Sequence, residues 1–422
     1  MKKKFKIAIM GLGYVGLPLA VELGKIYQTI GYDIDSKKIN LLKKNNDIPD
    51  IITGNELRRS KKLIFTKNII ELNDCNFFIV TVPTPIDKKN NPDMRMMISA
   101  TKSIAKLLKK NDTVIFESTV YPGASEEMAH DYLEKISGLK LNKDFYLGYS
   151  PERINPGDKN RDIKRIKKVT SGSNKYAANV IDSLYKKIIT AGTHKASSIQ
   201  VAEASKIIEN SQRDLNIGLI NEFSIILEKM GINTRDVLDA AETKWNFLPF
   251  KPGLVGGHCI SVDPYYLAHI AKKNKIDHKL ILAARSTNEN MSVFIANKIK
   301  KEMVNKKMTL SRSKILILGF SFKENCTDIR NTKVFDLYKS LKRFSSNVYI
   351  YDSVVDHNEV KSTYKINLLK KLNYSFFDVI IHAVPHKKFL KINNNIELYK
   401  KEKSIVFDIK YALKKSQSDF SL

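Results

Sequence analysis

The run Gly11-Leu12-Gly13-Tyr14-Val15-Gly16 stands between an apolar stretch, Phe5 to Met10, and the apolar positions Leu17, Leu19, Ala20, Val21 and Leu23. A glycine triplet at this spacing says little alone. Between a strand and a helix it commits the chain to a β–α–β nucleotide-binding unit. Gly11 and Gly13 allow a tight turn and the approach of backbone to a pyrophosphate. Gly16 lets the helix pack on the strand, and the helix N-terminus turns N–H groups toward the phosphates. Pro18 falls in the opening turn, where its missing N–H costs little. A second strand, Gln28 to Tyr32, ends on Asp33, the position of an acid that binds the adenosine ribose hydroxyls and repels a 2′-phosphate. The expected cofactor is NAD rather than NADP, with Lys37 and Lys38 nearby as the opposing sign. Asp35, just before Ser36, reads more naturally as a helix cap.

Phe77 to Val82, Val114 to Phe116 and Phe145 to Gly148 are nearly continuous apolar runs, as buried parallel strands are. Their ends deliver Pro83-Thr84-Pro85, Glu117-Ser118-Thr119 and Tyr149-Ser150-Pro151-Glu152-Arg153. Together these would form one wall of a cleft at the carboxyl end of the sheet. Any one of them could instead cap a helix, and Ser118 reads best that way. Long helices begin near Ala196. Ile199 to Lys229 carries apolar residues at helical spacing, with Lys206 and Asn210 four apart on one face. Taken alone, Lys206 is best read as a solvated lysine. Helical sequence continues through His278 to Lys301, and Asn305 to Ser313 is a polar linker. Lys314 to Leu318 then repeats the opening strand and reaches Gly319, but no second triplet follows. Strands are expected at Asn347 to Tyr351, Val379 to Val384 and Ser404 to Phe407. The fold expected is α/β, with two Rossmann-like doubly wound parallel-sheet domains, 1–198 and 305–422, joined by a central helical domain, 199–304.

The stretch Lys251 to Leu267, KPGLVGGHCISVDPYYL, breaks the helical pattern. Gly253, Gly256 and Gly257 exclude a regular helix and present Cys259 on a loop, with Asp263 and Pro264 behind it. A presented nucleophile and a buried small hydrophobe are evenly matched readings of that cysteine. With Cys75 and Cys326 it makes three cysteines, too few for a disulfide framework, which fits a reducing compartment. The chain lacks the features of a signal peptide and any run near the ~18 apolar residues of a membrane span. A cytoplasmic protein without membrane insertion is expected. The net charge of +28 is spread along the chain in lysine pairs, with no zinc-finger spacing, RNP-type motif or basic arm. It reads as a solvated surface that attracts anionic ligands, so no nucleic acid and no metal are expected.

GLGYVGLP, VPTP, ESTVYPG, SPERINPG, AEASKIIEN, GGHCISVDPYYL and FKENCTDIRN occur in that order over nearly the whole chain. In this order they resemble the nucleotide-sugar 6-dehydrogenase family, whose members make UDP-uronic acids. SPERINPG and KWNFLPFKPGLVGGHCISVDPYY are similar to the branch acting on UDP-N-acetylhexosamines, above all the UDP-N-acetylglucosamine 6-dehydrogenases of capsular and Vi-type polysaccharide pathways. Two departures from the UDP-glucose branch agree. Val262 stands where that branch has lysine, and Pro156 where it has a second glutamate.

The resemblance implies a four-electron oxidation of a C6 hydroxymethyl to a carboxylate, with two NAD⁺ and one water. Cys259 matches the nucleophile that holds the aldehyde as a thiohemiacetal and then a thioester. Lys206 and Asn210 match the pair that stabilises the oxyanion. Thr119 and Asp263 match the residues that position a water, and Glu152 the base for thioester hydrolysis. Gly11, Gly13, Gly16, Asp33, Thr84 and Thr119 would line the NAD site, with Arg330 reaching its pyrophosphate. Glu152, Arg153, Asn155, Lys206, Asn210, Gly256 and Lys323 would meet the UDP-sugar, with a solvated loop the equal alternative for Arg153 and Asn155. A Cys259–His258 dyad is disfavoured, because adjacent side chains point apart. Trp245 reads equally as a sugar contact and as a core or subunit-contact residue. Family members pair through the central helices, so a homodimer is expected. The galacto and manno N-acetyl sugars remain alternative substrates. A non-oxidising epimerase or sensor remains a different class, although a short-chain epimerase would show Tyr-x-x-x-Lys and would need no thiol.

Overall fold

A computed structural model describes residues 5–49, 51–154 and 162–422, so Asn155 and Pro156 lie outside the described residues. The chain divides into two compact units: Met1–Glu209 with Tyr265–Ile276, and Asn210–Pro264 with Asp277–Leu422.

The first unit holds β1 (Lys6–Met10), β2 (Gln28–Tyr32), β3 (Leu63–Thr66), β4 (Phe77–Val80), β5 (Thr113–Phe116), β6 (Tyr146–Tyr149), β7 (Lys168–Gly172) and β8 (Thr193–Lys195). They form one sheet in the order β3-β2-β1-β4-β5-β6-β7-β8. β4, FFIV, is buried at every position, as a strand covered on both faces must be. Each such side chain contributes roughly 1.5–3 kcal/mol of burial free energy. Register places the strand ends level, with Met10 opposite both Tyr32 and Val80, Val80 opposite Phe116, and Phe116 opposite Tyr149. Gly11, Asp33, Thr81, Glu117 and Ser150 therefore leave the sheet along one edge.

The parallel sheet expected for this unit runs from β3 to β6, and β7 then pairs antiparallel with β6. β7 and β8 escape a reading by apolar pattern because β7, KVTSG, is polar yet buried. Its polar atoms are matched inside. Thr170 Oγ1 donates to Asp182 at 2.9 Å, and Ser171 Oγ donates to the Tyr149 carbonyl at 2.7 Å.

The second unit holds β9 (Ile315–Leu318), β10 (Val348–Tyr351), β11 (Phe377–His382), β12 (Lys400–Asp408) and β13 (Phe420–Ser421). They lie in the order β10-β9-β11-β12-β13, all parallel. Met291, Ile295 and Ile299 of helix Lys279–Asn305 pack with Ile315, Ile317, Val379 and Phe407 in its main core.

Helix Ile199–Lys229 has the bounds its periodicity predicts and leaves Ile208, Leu219, Phe223 and Ile226 exposed. The helical run expected over His278 to Lys301 is Lys279–Asn305. A further helix, Asp263–Lys273, precedes it, and the break between the two carries Lys275 at φ 56°. A left-handed residue just past a helix end is the usual stop. Among the described residues no helix is long and apolar enough to cross a membrane.

Candidate active site

Three glycines shape the turn after β1. A Cβ on Gly16 would fall on the Gly11 carbonyl oxygen and Thr81 Oγ1, so the helix opens directly against the turn. Gly11 takes φ 98°, which an L side chain adopts only with strain, and a Cβ there would lie 3.1 Å from the Thr81 backbone. A Cβ on Gly13 would meet nothing within 4 Å, leaving that backbone open to an incoming group. Thr81 Oγ1 braces the turn by donating to the Gly11 carbonyl at 2.7 Å. Asp33 Oδ2 accepts the Leu12 N–H at 2.9 Å and Lys38 Nζ at 2.8 Å, and Oδ1 accepts the Asp35 N–H at 2.9 Å. Burial pushes this carboxyl up, but the Lys38 hydrogen bond and the two N–H donors outweigh it and hold Asp33 below the ordinary range. Lys38 is thereby paired to Asp33 and is not a free cation beside it. Asp35 caps helix Ser36–Lys43, accepting the N–H groups of Lys37 and Lys38. The open backbone at Gly13, the helix start at Gly16 and the ionised Asp33 fit an NAD dinucleotide.

The loops after β4 and β5 are tied together. Thr84 Oγ1 donates to the Thr119 carbonyl at 2.6 Å, and Ser118 Oγ to the Val82 carbonyl at 2.6 Å. Ser118 is therefore a loop brace and not a helix cap, since the next helix, Ala124–Met128, is preceded by Gly123 at φ 94°. Sequence reading mistook it because Ser serves both purposes. Glu203 stands one turn before Lys206 and accepts the N–H groups of Gly123 at 2.6 Å and Ser125 at 2.9 Å. Burial pushes its carboxyl up to about 7, against the pull of those hydrogen bonds. It anchors the segment following Thr119 to the helix that carries Lys206, which is itself 8 % exposed.

Behind the β5 and β6 ends lies a buried charge cluster that apolar periodicity does not reveal. Lys168 Nζ donates to Glu117 at 2.7 Å and to the Pro151 carbonyl at 3.2 Å, and lies 3.8 Å from Glu152 Oε2. Tyr185 donates to the other Glu117 oxygen. Glu152 Oε1 accepts the Ile154 N–H, while the buried Oε2 has no hydrogen-bond partner among the described residues. Arg153 is held by Glu209 at 2.8 Å and by the Lys167 carbonyl at 2.9 Å.

In the second unit the cysteine loop is built by backbone turns. Asn221, fully buried, donates to the Gly253 carbonyl at 3.0 Å and accepts the Gly253 N–H at 2.8 Å. Asn288 passes this anchor on to Asp214, which binds Arg285 at 2.6 Å. A Cβ on Gly256 would lie 2.5 Å from the Asn331 carbonyl, and one on Gly257 2.6 Å from the Phe322 ring. Both are glycine because another loop runs against them. The Cys259 carbonyl accepts the N–H groups of Val262 and Asp263, turning the chain into helix Asp263–Lys273. Asp263 is the first residue of that helix, where an acid suits the dipole, with Pro264 behind it. It is 1 % exposed and accepts Asn210 Nδ2 at 2.5 Å. Cys75 and Cys326 are buried, whereas Cys259 is partly exposed. Burial pushes the Cys75 thiol up to about 12, which leaves it inert at neutral pH.

His258 turns Nδ1 toward Asp328 at 3.5 Å, and Arg330 lies bidentate on the same Asp328. Burial pushes Asp328 up, yet Arg330 brings it below its ordinary range. A small cleft is lined by residues including Gly256, Phe322, Lys323, Lys333 and Lys410. Two of these lysines, Lys333 and Lys410, went unnoticed among the many in the sequence, and only folding separates them from the solvated ones. Lys333 is partly neutralised by Glu289 and Asp336. After β9, Gly319 is followed by Phe320, whose N–H meets Asp352 at 2.7 Å, the counterpart of Leu12 on Asp33. Here, however, Asp352 is fully buried and also bound to His386 at 3.0 Å, so it has no face for a ribose. Trp245 is 91 % exposed, which removes the core reading.

Of the residues singled out by sequence, Gly11, Gly13, Gly16, Asp33, Thr84, Thr119, Glu152, Arg153 and Lys206 belong to the first unit. Asn210, Gly256, Cys259, Asp263, Lys323 and Arg330 belong to the second.

Residues 5–189 match the NAD-binding domain of the UDP-glucose/GDP-mannose dehydrogenase family, 200–290 its central domain and 316–415 its UDP-binding domain. The chain is 49% identical over 421 residues to the UDP-N-acetyl-D-glucosamine 6-dehydrogenase of Pseudomonas aeruginosa, covering 100% of both chains. It is 49% identical to the protein of the same name from Salmonella typhi, covering 99% of this chain and 98% of that one. Its fold is similar to that of the UDP-D-ManNAc dehydrogenase of Pyrococcus horikoshii, with a TM-score of 0.88 at 29% identity over 99% and 98% of the two chains. A dinucleotide cradle, a central helical stretch and a second parallel sheet in this order, matched domain by domain, place the chain in the UDP-glucose/GDP-mannose dehydrogenase family, as an NAD-dependent dehydrogenase.

Proposed function

We propose that this chain oxidises the C6 hydroxymethyl group of a UDP-N-acetylhexosamine, UDP-N-acetylglucosamine by preference, to the uronate. The observation that carries this reading is the 49% identity, over the whole chain, to two relatives named for that reaction. The relatives named for UDP-N-acetyl-D-mannosamine stand at 32% and below, which favours the gluco sugar.

Bound NAD⁺ would supply the hydride acceptor for both oxidations. Cys259 adds through Sγ to the C6 aldehyde, and loss of hydride from the resulting thiohemiacetal leaves a thioester on the same sulfur. Lys206 and Asn210 stabilise the oxyanion that forms at each addition. The Asn210 side chain is already oriented, because its Nδ2 is held on Asp263 at 2.5 Å. Glu152 takes a proton from the water that cleaves the thioester, a task that suits an Oε2 with no hydrogen bond among the described residues. Thr119 and Asp263 hold that water. The lysines of the second unit's cleft, Lys323 above all, supply charge for a diphosphate.

Comparing kcat/KM for UDP-N-acetylglucosamine, its galacto and manno epimers, and UDP-glucose tests the assignment. Discrimination rests on one or two hydrogen bonds, so a preference of roughly 5–150-fold (about 1–3 kcal/mol) for the gluco N-acetyl sugar is expected. A preference for UDP-glucose would sink the assignment.

A further inference from the structure

Glu152 is the base in the reading above, and the present inference rests on that reading. Among the described residues its buried Oε2 has no hydrogen bond, and it lies beside the charge of Lys168. Lys168, on β7, is 3.8 Å away and 4 % exposed. Glu117, at the end of β5, holds Lys168 more closely at 2.7 Å, and Tyr185, on helix Lys175–Lys186, donates to its second oxygen. Both Glu117 oxygens thus accept, as in an ionised carboxylate. Farther out, Arg153 is taken up by Glu209 of the long helix. Lys206, on that helix, belongs to the same unit and is left intact throughout.

One buried cation therefore faces two carboxylates. Burial pushes Glu117 above the ordinary range, with Lys168 drawing it down and Glu152 pushing it up. A lone buried carboxylate would hold its proton and abstract none. One sharing its cation with no rival would be held fully ionised and would be a weak base. Glu152 is the farther of the two carboxylates that share this cation.

We propose that Lys168 and Glu117 are positioning residues that set the charge of Glu152, Lys168 holding it ionised and Glu117 restoring its appetite for a proton. Neither touches substrate in this reading; both act through Glu152. A purely structural role would lower kcat without moving its pH dependence, whereas this role moves the acid limb in opposite directions. With Lys168→Met, ionised Glu152 loses its cation and the limb rises by about one pH unit. With Glu117→Gln, an opposing anion is lost and the limb falls by about one pH unit. The double variant removes one charge of each sign and returns the limb close to the wild-type position.

The experiment records kcat against pH for the full chain and these three variants, with Glu152→Gln as reference. Should Lys168→Met alone fail to fold, Glu117→Gln and the charge-balanced double variant still decide. A limb abolished in Glu152→Gln, lowered in Glu117→Gln and restored in the double supports the proposal. A limb abolished in Glu152→Gln but unmoved in Glu117→Gln overturns the proposal alone. A limb that survives in Glu152→Gln overturns the base assignment as well.

Discussion

Cys259→Ser is expected to lower turnover by a factor on the order of 10³ or more while leaving fold and NAD binding intact. The change swaps one atom on a partly exposed side chain, so packing is little disturbed. The cradle around Gly11, Gly13, Gly16 and Asp33 is braced by Thr81 and by the Leu12 N–H on Asp33, none of which the substitution alters. What is lost is chemical. A serine hydroxyl is a far poorer nucleophile at neutral pH than a thiol with some thiolate present. The other two cysteines cannot substitute, both being buried. Steady-state NADH formation and NAD⁺ titration by fluorescence separate the two effects. Turnover at the wild-type rate would remove Cys259 from the chemistry.

Lys206→Ala is expected to lower kcat by about 10²–10³-fold with KM changed by no more than about threefold. At 8 % exposure Lys206 is no solvated lysine, which is the role its sequence position suggests when taken alone. A preorganised, largely buried cation contributes most where negative charge develops during the reaction. In the proposed chemistry that charge is the oxyanion, present in the transition state and absent from bound alcohol, so its loss falls on kcat. Equal loss in KM, with kcat preserved, would make Lys206 a ground-state binding residue.

The parts of this molecule legible in its sequence are those whose cause is local. A glycine that must be glycine shows itself, and Gly11 and Gly16 each have their own steric reason. The long helix was readable from its 3.6-residue spacing, and Asp33 from its place at the end of strand β2. The absence of a second triplet was informative too, since Asp352 proves to be closed off by Phe320 and His386. What stayed hidden depends on partners distant in sequence. Lys168 meets Glu117 across 51 positions, and Asn221 meets Gly253 across 32. β7 has no apolar signature because its buried groups are satisfied by hydrogen bonds. Ser118 was misread because a hydroxyl caps helices and braces loops with the same atom. Residue type left Trp245 open between a sugar contact and a core or subunit-contact residue, and only the fold, which leaves it exposed, removes the core reading.

The most direct test of the reaction is its stoichiometry. Purified protein is supplied with limiting UDP-N-acetylglucosamine and excess NAD⁺, and NADH is measured at completion by its absorbance. Two NADH per sugar, with a UDP-uronate as the product by mass, is the expected result. One NADH per sugar with an aldehyde accumulating would contradict the thioester route through Cys259, and none would contradict oxidation of this sugar altogether.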